Sequence, residues 1–213
     1  MITTNNDRRT SNTPTERSGI LFVVSAPSGA GKTTLCRELI DRFANLRQSV
    51  SFTTRGKRAG EVEGADYHFV TAPVFSAMIA ENRLAEWAEV HGNHYGTALT
   101  TLEEAAAAGI DLLLDIDCQG AAQLKESYPD GVFIFILPPN FAELERRLRS
   151  RKTDTPEVIA RRLLNSRREI AAAQHYDYLV VNDDFTVALE QLCAIITAEH
   201  CRTQRLRSRL KIT

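Results

Sequence analysis

No apolar run in this chain is longer than seven residues, which is far short of a helix that crosses a bilayer. The first residues lack the apolar core of a secretory signal. There is no Cys-x-x-Cys pair. The four cysteines, Cys36, Cys118, Cys193 and Cys201, are scattered with no histidine at zinc spacing, so they read as reduced thiols of a cytoplasmic protein. There is no excess of charge either. Against 26 Lys and Arg stand 27 Asp and Glu, so no overall field draws the molecule to nucleic acid or to an anionic membrane, and any such pull has to come from a local cluster. No internal repeat is visible. What remains, 43% apolar and 25% charged over 213 residues, fits one soluble domain with small insertions.

Residues 1–18 carry almost nothing to bury and read as a disordered tail. Beyond them, short continuous apolar runs recur at Ile20–Val24, Leu112–Ile116, Val132–Leu137 and Tyr178–Val181, the pattern of strands covered on both faces. Helical patterns lie between. Leu35, Leu39, Ile40 and Phe43 share a face, and an alanine-rich segment from Thr97 to Ala108 stops at Gly109. Ala121–Glu126, Phe141–Ser150, Pro156–Ala173 and Val187–Leu206 also read as helices, with Thr155 capping the one that Pro156 opens. Strands alternating with helices imply a parallel sheet wound on both sides. From Ser51 to Gly96 the rhythm breaks into short alternating segments separated by glycines, the signature of a small antiparallel insert with a helix from Val74 to Asn82.

The segment Ala26-Pro27-Ser28-Gly29-Ala30-Gly31-Lys32-Thr33-Thr34 sits between a predicted strand and a predicted helix, the context that a phosphate-binding loop requires. Glycines 29 and 31 let backbone N–H groups converge on an anion, and the next helix points its positive end there. Lys32 reaches for the β- and γ-phosphates and Thr33 for Mg²⁺. The motif's first glycine is Ala26 here, which alanine can fill if its φ stays negative.

The insert carries S-x-T-T-R-x-x-R-x-G-E at Ser51–Glu61, Asp66-Tyr67, and G-N-x-Y-G at Gly92–Gly96. Leu114-Asp115-Ile116-Asp117 and Gln119-Gly120 follow. In these motifs and their order, from about Leu21 to the "VVNDD" of 180–184, the chain resembles the guanylate kinases. That resemblance implies a P-loop nucleoside monophosphate kinase fold of α/β class: a parallel sheet covered by helices, a small antiparallel GMP-binding insert and a helical lid. It divides the chain into a core (19–50, 98–140 and 166–213), an insert (51–97) and a lid (141–165). It also implies in-line transfer of the γ-phosphate of ATP to GMP, with Mg²⁺ as cofactor.

By the same resemblance Arg55, Arg58, Tyr67 and Tyr95 grip the acceptor's phosphate, which two guanidinium forks suit better than lysines would. Glu86, Ser51 and Thr97 match the family's base-reading residues. A carboxylate accepts from both N1–H and the 2-amino group of guanine, and a hydroxyl donates to O6. Gly96 borders them. Glu61 either orients the arginines or touches metal-bound water. Asp115 is assigned to a Mg²⁺-bound water and Asp117 to the base side, with a helix cap as the alternative for Asp117. Asn182 either lies near the ATP base or caps the following helix.

Five of the seven residues 146–152 are basic. Most of them read as solvated, and no aromatics are interleaved to stack nucleic-acid bases. The family's lid pattern picks out Arg147, Arg151 and Arg162 as catalytic beside Lys32 and Arg55, although Lys152 replaces the usual glycine. His68, His91 and His94 read as structural or peripheral. Two other readings stand beside this one: a P-loop kinase for another acceptor, and an inactive binding module of the same fold, against which the intact Gly31-Lys32-Thr33 argues. The partners expected are ATP and GMP, for a monomer or homodimer.

Overall fold

The apolar runs form the middle of a parallel sheet. The computed structural model describes residues 19–90, 92–150 and 155–207. Five strands make this sheet: β1 (Leu21–Ser25), β2 (Leu46–Gln48), β7 (Asp111–Asp115), β8 (Val132–Leu137) and β9 (Tyr178–Val181), in the order β2-β7-β1-β8-β9, all parallel. Alternate side chains enter two cores. Phe22 and Val24 join Leu35, Leu39, Ile134, Leu192 and Ile196 on one side, and Val23 joins Leu102, Leu114, Leu124 and Phe133 on the other. That two-sided burial is why the strands read as unbroken apolar runs. β2 escapes the sequence reading because it has three residues, of which only Leu46 is buried.

The helices differ from expectation mainly at their ends. α1 is Lys32–Arg42. α3 runs from Leu99 to Ala107, not from Thr97, because strand pairing claims Thr97. α4 (Cys118–Ser127) starts three residues earlier than read, because the Asp117 carboxylate accepts the Gly120 N–H at 3.0 Å and caps it. α5 is Phe141–Ser150 and α6 is Pro156–Ala172, unbroken across residue 165. The helix expected over Val187–Leu206 is two, α7 (Phe185–His200), capped by Asp184, and α8 (Thr203–Arg207). Buried Glu199 draws in Arg202, Arg205 and the Tyr178 hydroxyl around the break.

The insert is a second sheet, in the order β4-β3-β6-β5: β3 (Phe52–Thr53), β4 (His68–Phe69), β5 (Leu84–Val90) and β6 (Asn93–Ala98). It is mixed, not purely antiparallel, since β4 pairs parallel with β3. Its helix, α2, is Ala72–Ala80. α5 and α6 share a small apolar cluster of their own, Leu144, Leu148 and Ile159. Among the described residues no helix is long and apolar enough to cross a membrane. The tail expected over residues 1–18 and the segment 151–154, which holds Arg151, lie outside the described residues, as does His91.

Candidate active site

Chain order changes direction at β1, with β2 and β7 to one side and β8 and β9 to the other. Ligands of open α/β sheets bind beyond the strand ends at such a point, and the loop after β1 lies there. Gly29 and Gly31 both have positive φ, 97° and 94°, which turns the loop's N–H groups inward. Among the described residues Asn82 is the one non-glycine with positive φ, so Ala26 is unstrained. Asn182 supports the loop from behind. Its Nδ2 donates to the Ala30 carbonyl at 2.7 Å, and a Cβ on Gly31 would stand 2.4 Å from that nitrogen. The cap of α7 is Asp184, and Asn182 is a brace for the loop.

Lys32 forms an ion pair with Asp115 and donates to the Ile116 carbonyl at 3.0 Å. Burial works against its charge, but Asp115 more than offsets this and holds its pKa above the ordinary value. Glu169 of α6, which the sequence reading missed, comes to the same loop. Burial raises its pKa, with the nearby Asp117 charge adding to it, and its Oε2 is buried with no hydrogen-bond partner among the described residues. Leu144 and Leu148 of α5 would lie 3.1 Å from a Cβ on Gly29, so the lid helix rests on the loop. Arg147 is tied to Glu143 at 2.7 Å and to the Asn182 carbonyl at 3.0 Å. Arg146 and Arg149 are exposed. Arg162 is half-buried on α6.

The insert's side of the site is built by strand register. Glu86 faces Thr97 directly, and Phe52 pairs with Gly96 and with His68. One residue further along, this register aligns Tyr67, Ser51, Thr97 and Glu86 as a row across all four strands. Residues opposite one another share a face, and Tyr95, two residues from Thr97, joins it. Tyr67 and Tyr95 make ring contact at 5.9 Å. The Arg55 guanidinium lies 5.3 Å from the Tyr67 ring centre. Phe52, His68, His94 and Trp87 take the other face, where Phe52 stacks on His68 and Phe75 lies against His94.

Glu61 lies among the arginines. Its carboxylate takes both Nη atoms of Arg55, at 3.1 and 2.7 Å, and the Arg58 N–H at 2.7 Å. It shapes the arginine loop, and the bonds to Arg55 and Arg58 lower its pKa. Tyr67, against which Arg55 lies, is largely out of water: burial raises its pKa, and the Asp115 charge adds to this.

Glu86 is 3% exposed and accepts from the Thr97 hydroxyl at 2.6 Å. Burial, with Asp117 adding to it, pushes its carboxyl up to about 7. Its neighbours Glu81 and Glu89 are exposed. Asp117 caps α4 and also accepts from Gln119 at 3.0 Å.

Among the described residues no three His, Cys, Asp or Glu gather to hold a metal. A Mg²⁺ carried by nucleotide phosphates needs only one or two protein oxygens. The exposed Thr33 hydroxyl and the Asp115 carboxylate, both beside Lys32, are donors of that kind.

The guanylate kinase family profile matches residues 18–199. The guanylate kinase of Syntrophotalea carbinolica is 66% identical over 91% of this chain and 92% of its own. That of Geobacter sulfurreducens is 58% identical over 90% and 94%. The crystal structure of guanylate kinase from Anaplasma phagocytophilum superposes with a TM-score of 0.72 at 34% identity, covering 92% of this chain and 97% of that one. The chain belongs to the guanylate kinase family.

Proposed function

We propose that this chain transfers the γ-phosphate of ATP to GMP, giving ADP and GDP. The observation that carries the reading is the single row of Tyr67, Ser51, Thr97 and Glu86, with the Arg55 guanidinium against its Tyr67 end. A phosphate loop alone serves many acceptors. A buried carboxylate beside a hydroxyl, at the far end of a row that starts at a tyrosine with an arginine against it, fits a guanine nucleotide.

In this reading the loop 26–34 holds the ATP phosphates through its N–H groups, with Asn182 bracing it. Lys32 exchanges its partner Asp115 for the β- and γ-phosphates. Thr33 and, through water, Asp115 would hold Mg²⁺, which supplies charge neutralisation across the phosphates. Arg55, Arg58, Tyr67 and Tyr95 hold the phosphate of GMP, while Glu86, Thr97 and Ser51 read the base and Asp117 backs the guanosine end. A phosphate oxygen of GMP attacks the γ-phosphorus in line, and the bond from that phosphorus to the bridging oxygen breaks. The nucleophile is already ionised, so positioning and charge are what the protein provides. Arg147, Arg151 and Arg162 surround the transferring group when the lid closes, and closure excludes the water that would hydrolyse ATP. The four free thiols fit a reducing, cytoplasmic setting, with nucleotides as the partners.

The test is a coupled assay with ATP and Mg²⁺ against GMP, AMP, dTMP and ribose phosphates. GMP should be used at least about 10⁴-fold more efficiently than AMP. Comparable turnover of AMP, or none with GMP, refutes the reading.

A further inference from the structure

Glu86 is not positioned by its own strand alone. α4 of the core meets β5 of the insert, and Gln123 joins them. The Trp87 N–H donates to Gln123 Oε1 at 3.2 Å, and Gln123 Nε2 donates to the Trp87 carbonyl at 2.7 Å. The side-chain amide thus serves β5, an edge strand, as a one-residue pairing partner. Three residues earlier, on the same face of the helix, Gly120 lies under the Glu86 side chain. A Cβ at Gly120 would stand 2.2 Å from Glu86 Oε2 and 3.0 Å from its Cδ.

The backbone gives no reason for glycine here. Gly120 is not among the positive-φ residues. It occupies the third position of a helix, where alanine is the more stable choice. Space is the reason that remains: the carboxylate occupies the volume a side chain would fill.

We propose that Gly120 and Gln123 are positioning residues for guanine selection. α4 forms a seat in which Gln123 fixes the height of β5 and bare Gly120 admits the Glu86 carboxylate. This rests on the reading of Glu86 as the base reader. The clash of an added Cβ is relieved in one of two ways: the carboxylate swings off its bond with Thr97, or β5 lifts from α4 and breaks the Gln123 pair. Either way the acceptor site is damaged and the phosphate loop is not.

The experiment compares the native chain, Gly120→Ala, Gln123→Ala, Glu86→Asp and the Glu86→Asp/Gly120→Ala double variant, reading KM for each nucleotide, kcat and Tm. Overpacking of this kind converts to a rise in the GMP KM of about ten- to a hundredfold for Gly120→Ala, with the ATP KM within about twofold. Gln123→Ala should shift the GMP KM in the same direction by a smaller factor. Aspartate is one methylene shorter and leaves room for the new methyl, so Gly120→Ala should cost less in the Glu86→Asp background than in the native one. An unchanged GMP KM in Gly120→Ala overturns the seat, as does an equal loss for both nucleotides or strictly additive effects in the double variant. If Gly120→Ala alone does not fold, Glu86→Asp against the double variant still decides. The reading beneath fails separately: a native chain that does not phosphorylate GMP refutes the activity, while the Tm coupling between positions 86 and 120 still tests the seat.

Discussion

The two halves of the site are made of different material. The phosphate loop is backbone: two glycines at positive φ, a helix start, and Asn182 bracing a carbonyl from behind. The acceptor face is side chain: a row set by strand register, ending in a carboxylate buried against a neighbouring helix. Backbone N–H groups bind any phosphate, and every residue type carries them. Side chains at fixed register distinguish one base from another. In the proposed reading the general chemistry sits on the core sheet and the selectivity on a second sheet, pinned to the core where Gln123 of α4 meets β5.

The comparison breaks most completely at Lys32, which the proposed transfer places on the β- and γ-phosphates. Lys32→Ala should lower kcat by about a thousandfold, the scale of losing one preorganised charge at a transition state. GMP affinity, measured by calorimetry, should stay within about threefold. A variant retaining a tenth of the native rate would show that the backbone suffices without the ammonium.

Glu86 sharpens the contrast from the other side. Glu86→Gln should weaken GMP use by about a hundredfold, since bonds from guanine to an ionised group are the strong kind, and should leave the ATP KM unchanged. Its pH behaviour follows from burial. The folded carboxyl titrates near 7 against an ordinary value of 4.5. Its favourable contribution to stability is therefore complete below about pH 4.5 and disappears as pH rises through about 7, a change on the order of 3 kcal/mol. Without nucleotide, Glu86→Gln should raise Tm at pH 8 and leave it nearly unchanged at pH 5. GMP needs the ionised form, so its affinity should rise from pH 6 to pH 8 in the native chain by more than in Glu86→Gln. The variant isolates the share owed to the phosphate of GMP itself. Identical pH profiles would remove the carboxylate from base recognition.

How far each half was legible follows from the same difference. A loop made of contiguous backbone leaves a contiguous signature, and residues 26–34 could be read together with the strand and helix that flank them. The row of Tyr67, Ser51, Thr97 and Glu86 is dispersed from residue 51 to residue 97, and only the family's motifs suggested that these residues belong together. The start of the helix after residue 97 was misplaced, because the alanine-rich run has helical propensity throughout and only pairing with Glu86 claims Thr97 for a strand. Gly120 stood in a recognised motif without a role, since its reason is a carboxylate 34 positions away. Glu169 and Gln123 gave no local signal, and tertiary contact alone brings them to the site.

Asn182 tests whether the backbone half depends on its brace. Asn182→Ala removes the donor to a buried carbonyl, which costs about 1–3 kcal/mol and should lower Tm by about 2–10 °C. The ATP KM should rise several-fold while the GMP KM stays constant. A shift in both would mean that the loop and the acceptor sheet are mechanically one unit.

The smallest effect expected lies on the lid, where one helix repeats the contrast. Arg149 of α5 is exposed and paired with Glu145 one turn earlier, at 2.6 Å. Pairs of this kind contribute about 0.3–0.5 kcal/mol. Arg147, on the inner side, is tied to Glu143 and to the carbonyl of the residue that braces the loop. Arg149→Ala should therefore change turnover by less than about twofold and Tm by no more than about 2 °C, while Arg147→Ala raises the ATP KM. A comparable ATP defect in Arg149→Ala would mean that the closing lid turns its outer face inward, and that the charge cluster acts as a whole instead of through its inward-facing members.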